Sequence, residues 1–330
     1  MEIPREILNN LQKKYRLSSI NTFKHNLITI FKETAKITKK EEDCGILKYK
    51  STRLYDTENI LKFISENPKM MSRKNMIASI LAFLKTSPRP KKKIIEIYQE
   101  EFEKLVLINE DLQEFKEPTT ENIDNWISWD TVLDKFREYS EKVKNLGQGK
   151  SIDTFAKKHM YQKYLILALY TMIPPQRGEI FYNCIIIELN KPTNNDYRQI
   201  SEASKKNLID IRNNKLISAY YKTSDKYGFQ ILDIPKELSE IIRKWYNITN
   251  NHSLLLNIQA NKSLTQQAFT AYLNRIFEPK KISISMLRNI YISDMLNKRV
   301  SKKDRKRIAR EMKHSLATQT FIYSKFENDN

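Results

Sequence analysis

Apolar residues recur at helical spacing through the first hundred positions. Ile60, Leu61, Phe63 and Ile64 fall on one face of a short helix. Met76, Ile77, Ile80, Leu81 and Leu84 make a clearer stripe, with Ser72 in place to cap its start and Pro88 and Pro90 to end it. The stretch from Ile94 to Ile108 predicts a third helix. Few β-type runs interrupt this region, so residues 1–115 read as a small helical domain, with 1–50 a candidate arm. A polar, acidic stretch containing Pro118 follows. It predicts an interdomain linker, placed at 116–125.

The second part, 126–330, opens with helical patterns from Trp129 to Val143 and from Thr154 to Leu169. The period then shortens. Residues 207–211, 215–221 and 229–234 are β-rich runs separated by turn segments, which predicts a three-stranded antiparallel meander. Helical patterns return at 236–247, 265–277, 284–296, 302–312 and 316–326. The fold class expected from this order is mainly α with a small antiparallel sheet, an α+β layout.

Charge changes the picture. The 330 residues carry a formal net charge of +19, with a sequence pI near 9.6. Such an excess favours a polyanionic partner, and nucleic acid is the commonest. No apolar run is long enough to span a bilayer. Cys44 and Cys184 fit no metal spacing or disulfide framework, which predicts a reduced, intracellular protein. His25, His159, His252 and His314 are scattered, so no zinc site is expected, and no Gly-rich phosphate loop is present. Basic residues concentrate between Lys298 and Lys313, nine Lys/Arg against two Asp/Glu, and again at Arg73, Lys74, Lys91, Lys92 and Lys93. A solvated face or a phosphate-backbone track would each explain such runs. Trp126, Trp129, Trp245 and Tyr246 read as core.

Five side chains carry candidate chemistry. Arg177 follows a double-proline stop in Pro174-Pro175-Gln176-Arg177-Gly178-Glu179. Lys222 lies at the end of the second β-run, with Lys226 in the turn beyond. Arg288 sits in Ser285-Met286-Leu287-Arg288 on an apolar-patterned helix. His314 precedes Ser315, and Tyr323 comes nine residues later. Taken singly, each has an ordinary reading as a solvated or packed residue. Arg288 in particular must find a partner or escape to the surface. Their order is the informative part.

The ordered set Arg177, Lys222, Arg288, His314, Tyr323 resembles the tyrosine recombinase (phage integrase) family, over the whole second half of the chain. The Pro-Pro-x-Arg segment resembles integrases of virophages and giant DNA viruses. The resemblance implies a helical core-binding domain and a catalytic domain clamped on double-stranded DNA, acting as a homo-tetramer at DNA within the cell. It implies no metal and no cofactor. Tyr323 would be the nucleophile, Arg177, Arg288 and His314 would hold the scissile phosphate, and Lys222 would protonate the leaving oxygen. Lys226, Lys302, Lys303 and the basic residues of the first domain would track the backbone. The chain departs from the family pattern in two places. Ser285 stands where the family has His, and a hydroxyl can bond phosphate but cannot carry a proton near neutral pH. Glu179 follows Arg177 by two residues, where the family's acidic residue follows by three. A type IB topoisomerase, or an inactive DNA-binding relative, would use the same residue types.

Overall fold

The structure, a computed structural model, describes residues 1–34, 47–114, 120–146, 152 and 154–316. The chain divides into two compact units that part after Lys116.

The first unit is helical. Helices α1 (Arg5–Lys14), α2 (Leu17–Thr34), α3 (Thr57–Ser65), α4 (Met70–Thr86) and α5 (Lys92–Glu114) pack around α4. The α4 stripe of Met76, Ile77, Ile80, Leu81 and Leu84 is buried as its period requires, and neighbouring Ala82 and Phe83 are buried as well. Ile7 and Leu11 of α1 and Leu27, Ile30 and Phe31 of α2 sit in the same core. These apolar faces make 1–34 part of the globular unit, not an arm. Ser72 lies inside the first turn of α4, whose N-cap is Lys69 without a side-chain bond. The helix begins three residues earlier than expected because Met70, packed against the core, extends the apolar face.

The second unit is α+β. Helix α6 (Thr120–Asn125) occupies the segment expected as linker. Lys280 Nζ donates to the Asp124 carbonyl, and the Lys281 N–H donates to Asn125 Oδ1 at 2.6 Å, so these residues belong to the unit. Helices α7 (Trp129–Leu146) and α8 (Phe155–Thr171) pair extensively. On α8, capped by Thr154, the run from Leu165 to Tyr170 is buried all round. Trp245 stacks on Tyr161 at 5.9 Å and donates to the Leu254 carbonyl at 3.0 Å. Trp129 and Trp245 are core residues and Trp126 packs against the same core.

Four strands form a mixed sheet, β1 (Cys184–Ile187), β2 (Asn207–Asp210), β3 (Lys215–Ser218) and β4 (Gln230–Asp233), in that order. The expected meander is β2–β3–β4. Strand β1 adds a parallel neighbour to β2, and α10 bridges the two (Asn194–Ser204). Helix α9 (Gly178–Tyr182) precedes β1, and α11 (Ser224–Tyr227) lies between β3 and β4. Strand β3 stops at Ser218, three residues short of expectation. The Asn207 side chain is the cause: its Oδ1 accepts from the Ala219 and Tyr220 N–H groups at 2.9 and 2.8 Å, and its Nδ2 donates to the Tyr220 carbonyl at 3.0 Å. These bonds take the place of a strand partner. Helix α12 (Lys236–Thr249), a small ribbon β5–β6 (Leu256–Asn257, Lys262–Ser263), α13 (Gln266–Ile276), α14 (Ile284–Asn297) and α15 (Lys302–Glu311) complete the unit.

Among the described residues no helix is long and apolar enough to cross a membrane.

Candidate active site

Arg177 is the residue that opens α9, its backbone extended at φ −67° and ψ 146°. The turn before it is rigid. Pro174 and Pro175 fix the backbone, and Gln176 is buried with its Nε2 donating to the Pro174 carbonyl at 2.6 Å. The turn after it needs a glycine. A Cβ on Gly178 would lie 2.4 Å from Ile284 Cδ1 and 3.4 Å from the Phe269 ring. Gly178 thus lets the Arg177 turn lie against the start of α14. The Arg177 side chain is half-buried, and its Nε has no hydrogen-bond partner among the described residues.

Arg288 lies in the second turn of α14 and is only 4% exposed. It does not escape to the surface, because α14 is enclosed on most sides: Met286, Leu287, Ile290, Ile292 and Met295 are buried with it. Its Nη2 donates to the Met312 carbonyl at 3.0 Å. That bond ties α14 to the C-terminal end of α15, two residues before His314. Ser285 is exposed in the first turn of α14, one helical turn before Arg288.

His314 ends the α15 turn. Its N–H donates to the Ala309 carbonyl at 3.1 Å and the Lys313 N–H to the Arg310 carbonyl at 3.0 Å, the paired bonds of a Schellman stop. The residue in the left-handed position of that stop is Lys313, with φ 58°. Glycine usually fills it, and a side chain there costs about 1 kcal/mol or more. His314 is 5% exposed and its Nδ1–H donates to the Ser315 carbonyl at 3.1 Å. Burial lowers its pKa to about 4, and the positive charges of Arg288 and Arg177 act in the same direction against the bond to Ser315. The imidazole is therefore neutral at pH 7, with both guanidiniums close enough to oppose its charge. A phosphate anion between them would reverse that opposition.

Lys313 is 2% exposed, although the basic run that contains it reads as a solvated or backbone-tracking face. Its Nζ donates to Gln176 Oε1 at 2.6 Å and to the Glu311 carbonyl at 3.3 Å, and lies 5.5 Å from the Tyr221 ring. Burial, with Arg288 next in weight, lowers its pKa to about 7.

Lys222 is exposed, four residues beyond the end of β3. Its N–H donates to Glu179 Oε1 at 3.0 Å, and the neighbouring Thr223 Oγ1 donates to the Lys313 carbonyl at 3.5 Å. The acidic residue two places after Arg177 thus anchors the lysine segment. Lys226 is exposed on α11, its Nζ 5.5 Å from the Tyr227 ring. Tyr323 lies outside the described residues.

The structure brings together Arg177, Arg288 and His314, with the backbone of Lys222 bonded into the same group. The residues expected to follow the DNA backbone are less uniform. Lys302 and Lys303 are exposed at the start of α15, and Lys92 and Lys93 at the start of α5. Lys91 is exposed, with Nζ 4.5 Å from the Tyr55 ring. In the first unit Arg73 Nε donates to the Asn67 carbonyl at 2.5 Å and Lys74 lies over Phe102 at 5.8 Å, so both are engaged within their own unit.

No family model matches the chain, and no curated protein sequence matches it. One solved structure with a similar course is the crystal structure of XerA recombinase. It is 12% identical, covering 96% of this chain and 92% of that one, with a TM-score of 0.37. At that overlap the reading of the site rests on its own residues.

The His314 environment gives a pH dependence that can be measured. The unfolded chain takes up this proton near 6.5, and the folded chain only near 4. Between those values the unfolded state binds more protons, so stability is fully present above 6.5 and is lost as pH falls toward 4. The loss is on the order of 3 kcal/mol. All three tryptophans lie in the second unit, so their fluorescence during urea unfolding follows that unit alone. His314→Gln should flatten the slope between pH 6.5 and 4, and an unchanged slope would mean that another group titrates there.

Proposed function

We propose that this chain is a site-specific DNA recombinase of the tyrosine type, which cuts and rejoins strands through a 3′-phosphotyrosyl link. The observation that carries the reading is the convergence of Arg177, Arg288 and His314, from three separated segments, on one largely buried place. Two guanidiniums held together beside an imidazole suit a phosphate, which each fork can bind through two oxygens.

In this reading Tyr323 Oη attacks the scissile phosphorus. The phosphorane oxygens take up negative charge, which Arg177 and Arg288 stabilise. The phenol proton lost in that attack passes to His314 Nε2, and the imidazolium then donates through Nε2 to a phosphorane oxygen as the charge develops. The bond from phosphorus to the 5′-oxygen breaks, and that oxygen leaves as a hydroxyl with a proton from Lys222. The ester retains the bond energy, so attack by a 5′-hydroxyl reverses the step without ATP. Ser285, in the first turn of α14, adds a hydrogen bond to a phosphate oxygen. The exposed lysines of α15 and of the start of α5, together with Lys226, follow the duplex backbone. The Pro174–Arg177 segment supports a role in integration of the kind carried out by viral integrases, with a homo-tetramer assembled on DNA.

A nicked suicide duplex tests the proposal, because loss of the short fragment traps the covalent complex. A protein–DNA adduct on a denaturing gel is the expected result. Absence of any adduct, with binding retained, would identify an inactive DNA-binding relative, to which Ser285 in place of a proton carrier lends some support. Relaxation of a plasmid without strand exchange between two duplexes would favour a topoisomerase instead.

The role of Lys222 has its own test. A 5′-bridging phosphorothioate makes the leaving group a thiolate, which departs without a proton. Lys222→Ala should cut normal DNA roughly a hundredfold more slowly and recover most of that on the sulfur substrate. Lys226→Ala should be near normal on both. Rescue with Lys226→Ala alone would assign the acid to the other lysine.

A further inference from the structure

Lys313 is difficult to explain as an ordinary helix stop. Its backbone is left-handed, where glycine is preferred, and its Nζ is buried, with Arg288 and Arg177 as well as Glu311 and Glu179 acting on it. A residue placed at a double disadvantage in the middle of a charged site points to a role that neither glycine nor a surface lysine would fill. Its contacts say which. Through Nζ it holds Gln176, the residue before Arg177. Through its carbonyl it receives Thr223, the residue after Lys222. Through its backbone turn it sets the path into His314. Three segments far apart in sequence meet at this one side chain and its peptide unit.

We infer that Lys313 is a positioning residue that fixes Arg177 relative to His314, by gripping Gln176 while forming the turn that delivers the imidazole. This rests on the strand-cutting reading of the site. Gln176 is the necessary second half. It is buried, its Nε2 is used on Pro174 and its Oε1 on Lys313, so the amide is fixed at both ends and the Arg177 backbone is fixed with it. Lys313 touches no substrate in this account. It acts by keeping two phosphate-binding groups in register, where a displacement of about 1 Å can cost on the order of a hundredfold in rate.

The test uses the full chain and the nicked suicide duplex, under single-turnover conditions at saturating DNA. Lys313→Gly removes the grip and relieves the left-handed backbone. Lys313→Met keeps the aliphatic stem and removes only the donor. Gln176→Leu removes the acceptor. Each should slow adduct formation by roughly 10–100-fold with DNA affinity nearly unchanged. Lys313→Met combined with Gln176→Leu should be no slower than the slower single variant, since both remove one bond. The thermal midpoint of Lys313→Gly should not fall, which a purely structural lysine would not predict. Cutting by Lys313→Gly within about twofold of the unaltered protein, or single effects that multiply, would overturn the inference. If the unaltered protein itself forms no adduct, the strand-cutting reading fails, and nuclear magnetic resonance of the His314 ring decides the positioning role. The ring should titrate near 4 in the unaltered protein. Its midpoint should move upward in Lys313→Gly as water enters the space left by the side chain, and an unmoved midpoint would refute the positioning role.

Discussion

Replacing Tyr323 by Phe is expected to leave duplex binding intact and to abolish the covalent protein–DNA adduct. The substitution removes one oxygen and keeps the ring, so packing and backbone are disturbed little. In the proposed reaction that oxygen is the whole of the nucleophile. The buried phenols of the second unit are poor substitutes. Tyr170 has its hydroxyl fully enclosed, and burial drives its pKa far above the ordinary range, while the Tyr221 hydroxyl donates to the Gly228 carbonyl at 2.7 Å. Trapping on the suicide duplex, read on a denaturing gel, should therefore drop below detection in Tyr323→Phe, with affinity in a mobility-shift assay within about threefold. An adduct that persists in the Phe variant would remove Tyr323 from the reaction and take the ordered motif with it.

Helical periodicity located α4, α8, α12, α13, α14 and α15 to within a few residues, because each buries a stripe or a whole circumference and the sequence must show it. Strand β1 was not legible in the same way. Cys184-Ile185-Ile186-Ile187 has no alternation, since a strand beside a parallel neighbour can be apolar on both faces. Its β-branched run was the signal available. Helix α10 carried a signal too, the capping box in which Thr193 and Asp196 bond reciprocally. The side chains of the site divide by the same logic. Arg177, Arg288 and His314 stand out by type and order. Whether Arg288 is buried cannot be read from its helix, because the enclosing partners come from elsewhere in the chain. Lys313 was hidden by its company: eight other basic residues surround it in sequence, most of them exposed, and nothing in residue type marks the one that is buried.

The burial of Arg288 sets up the second large effect, and separates it from that of Arg177. Arg288→Ala removes a guanidinium from the phosphorane, worth roughly a hundred- to a thousandfold in cleavage. It also strips the donor from the buried Met312 carbonyl, a loss of about 1–3 kcal/mol in stability. The end of α15 is then less firmly held, and His314 moves with it. Cleavage by Arg288→Ala should fall by on the order of a thousandfold or more, with a thermal midpoint lowered by several degrees. Arg177→Ala should lose a similar amount of activity with little change in stability, since its half-buried side chain anchors no described carbonyl and its Nε has no described partner. Arg288→Lys sharpens the contrast. It keeps the charge but loses the planar fork that reaches Met312 and two phosphate oxygens together, so restoring charge should recover only part of the rate. Single-turnover rates and melting midpoints for the three variants check this pattern. Cleavage within tenfold of the unaltered protein in Arg288→Ala would mean that its burial serves the fold alone, and that the phosphate is held elsewhere.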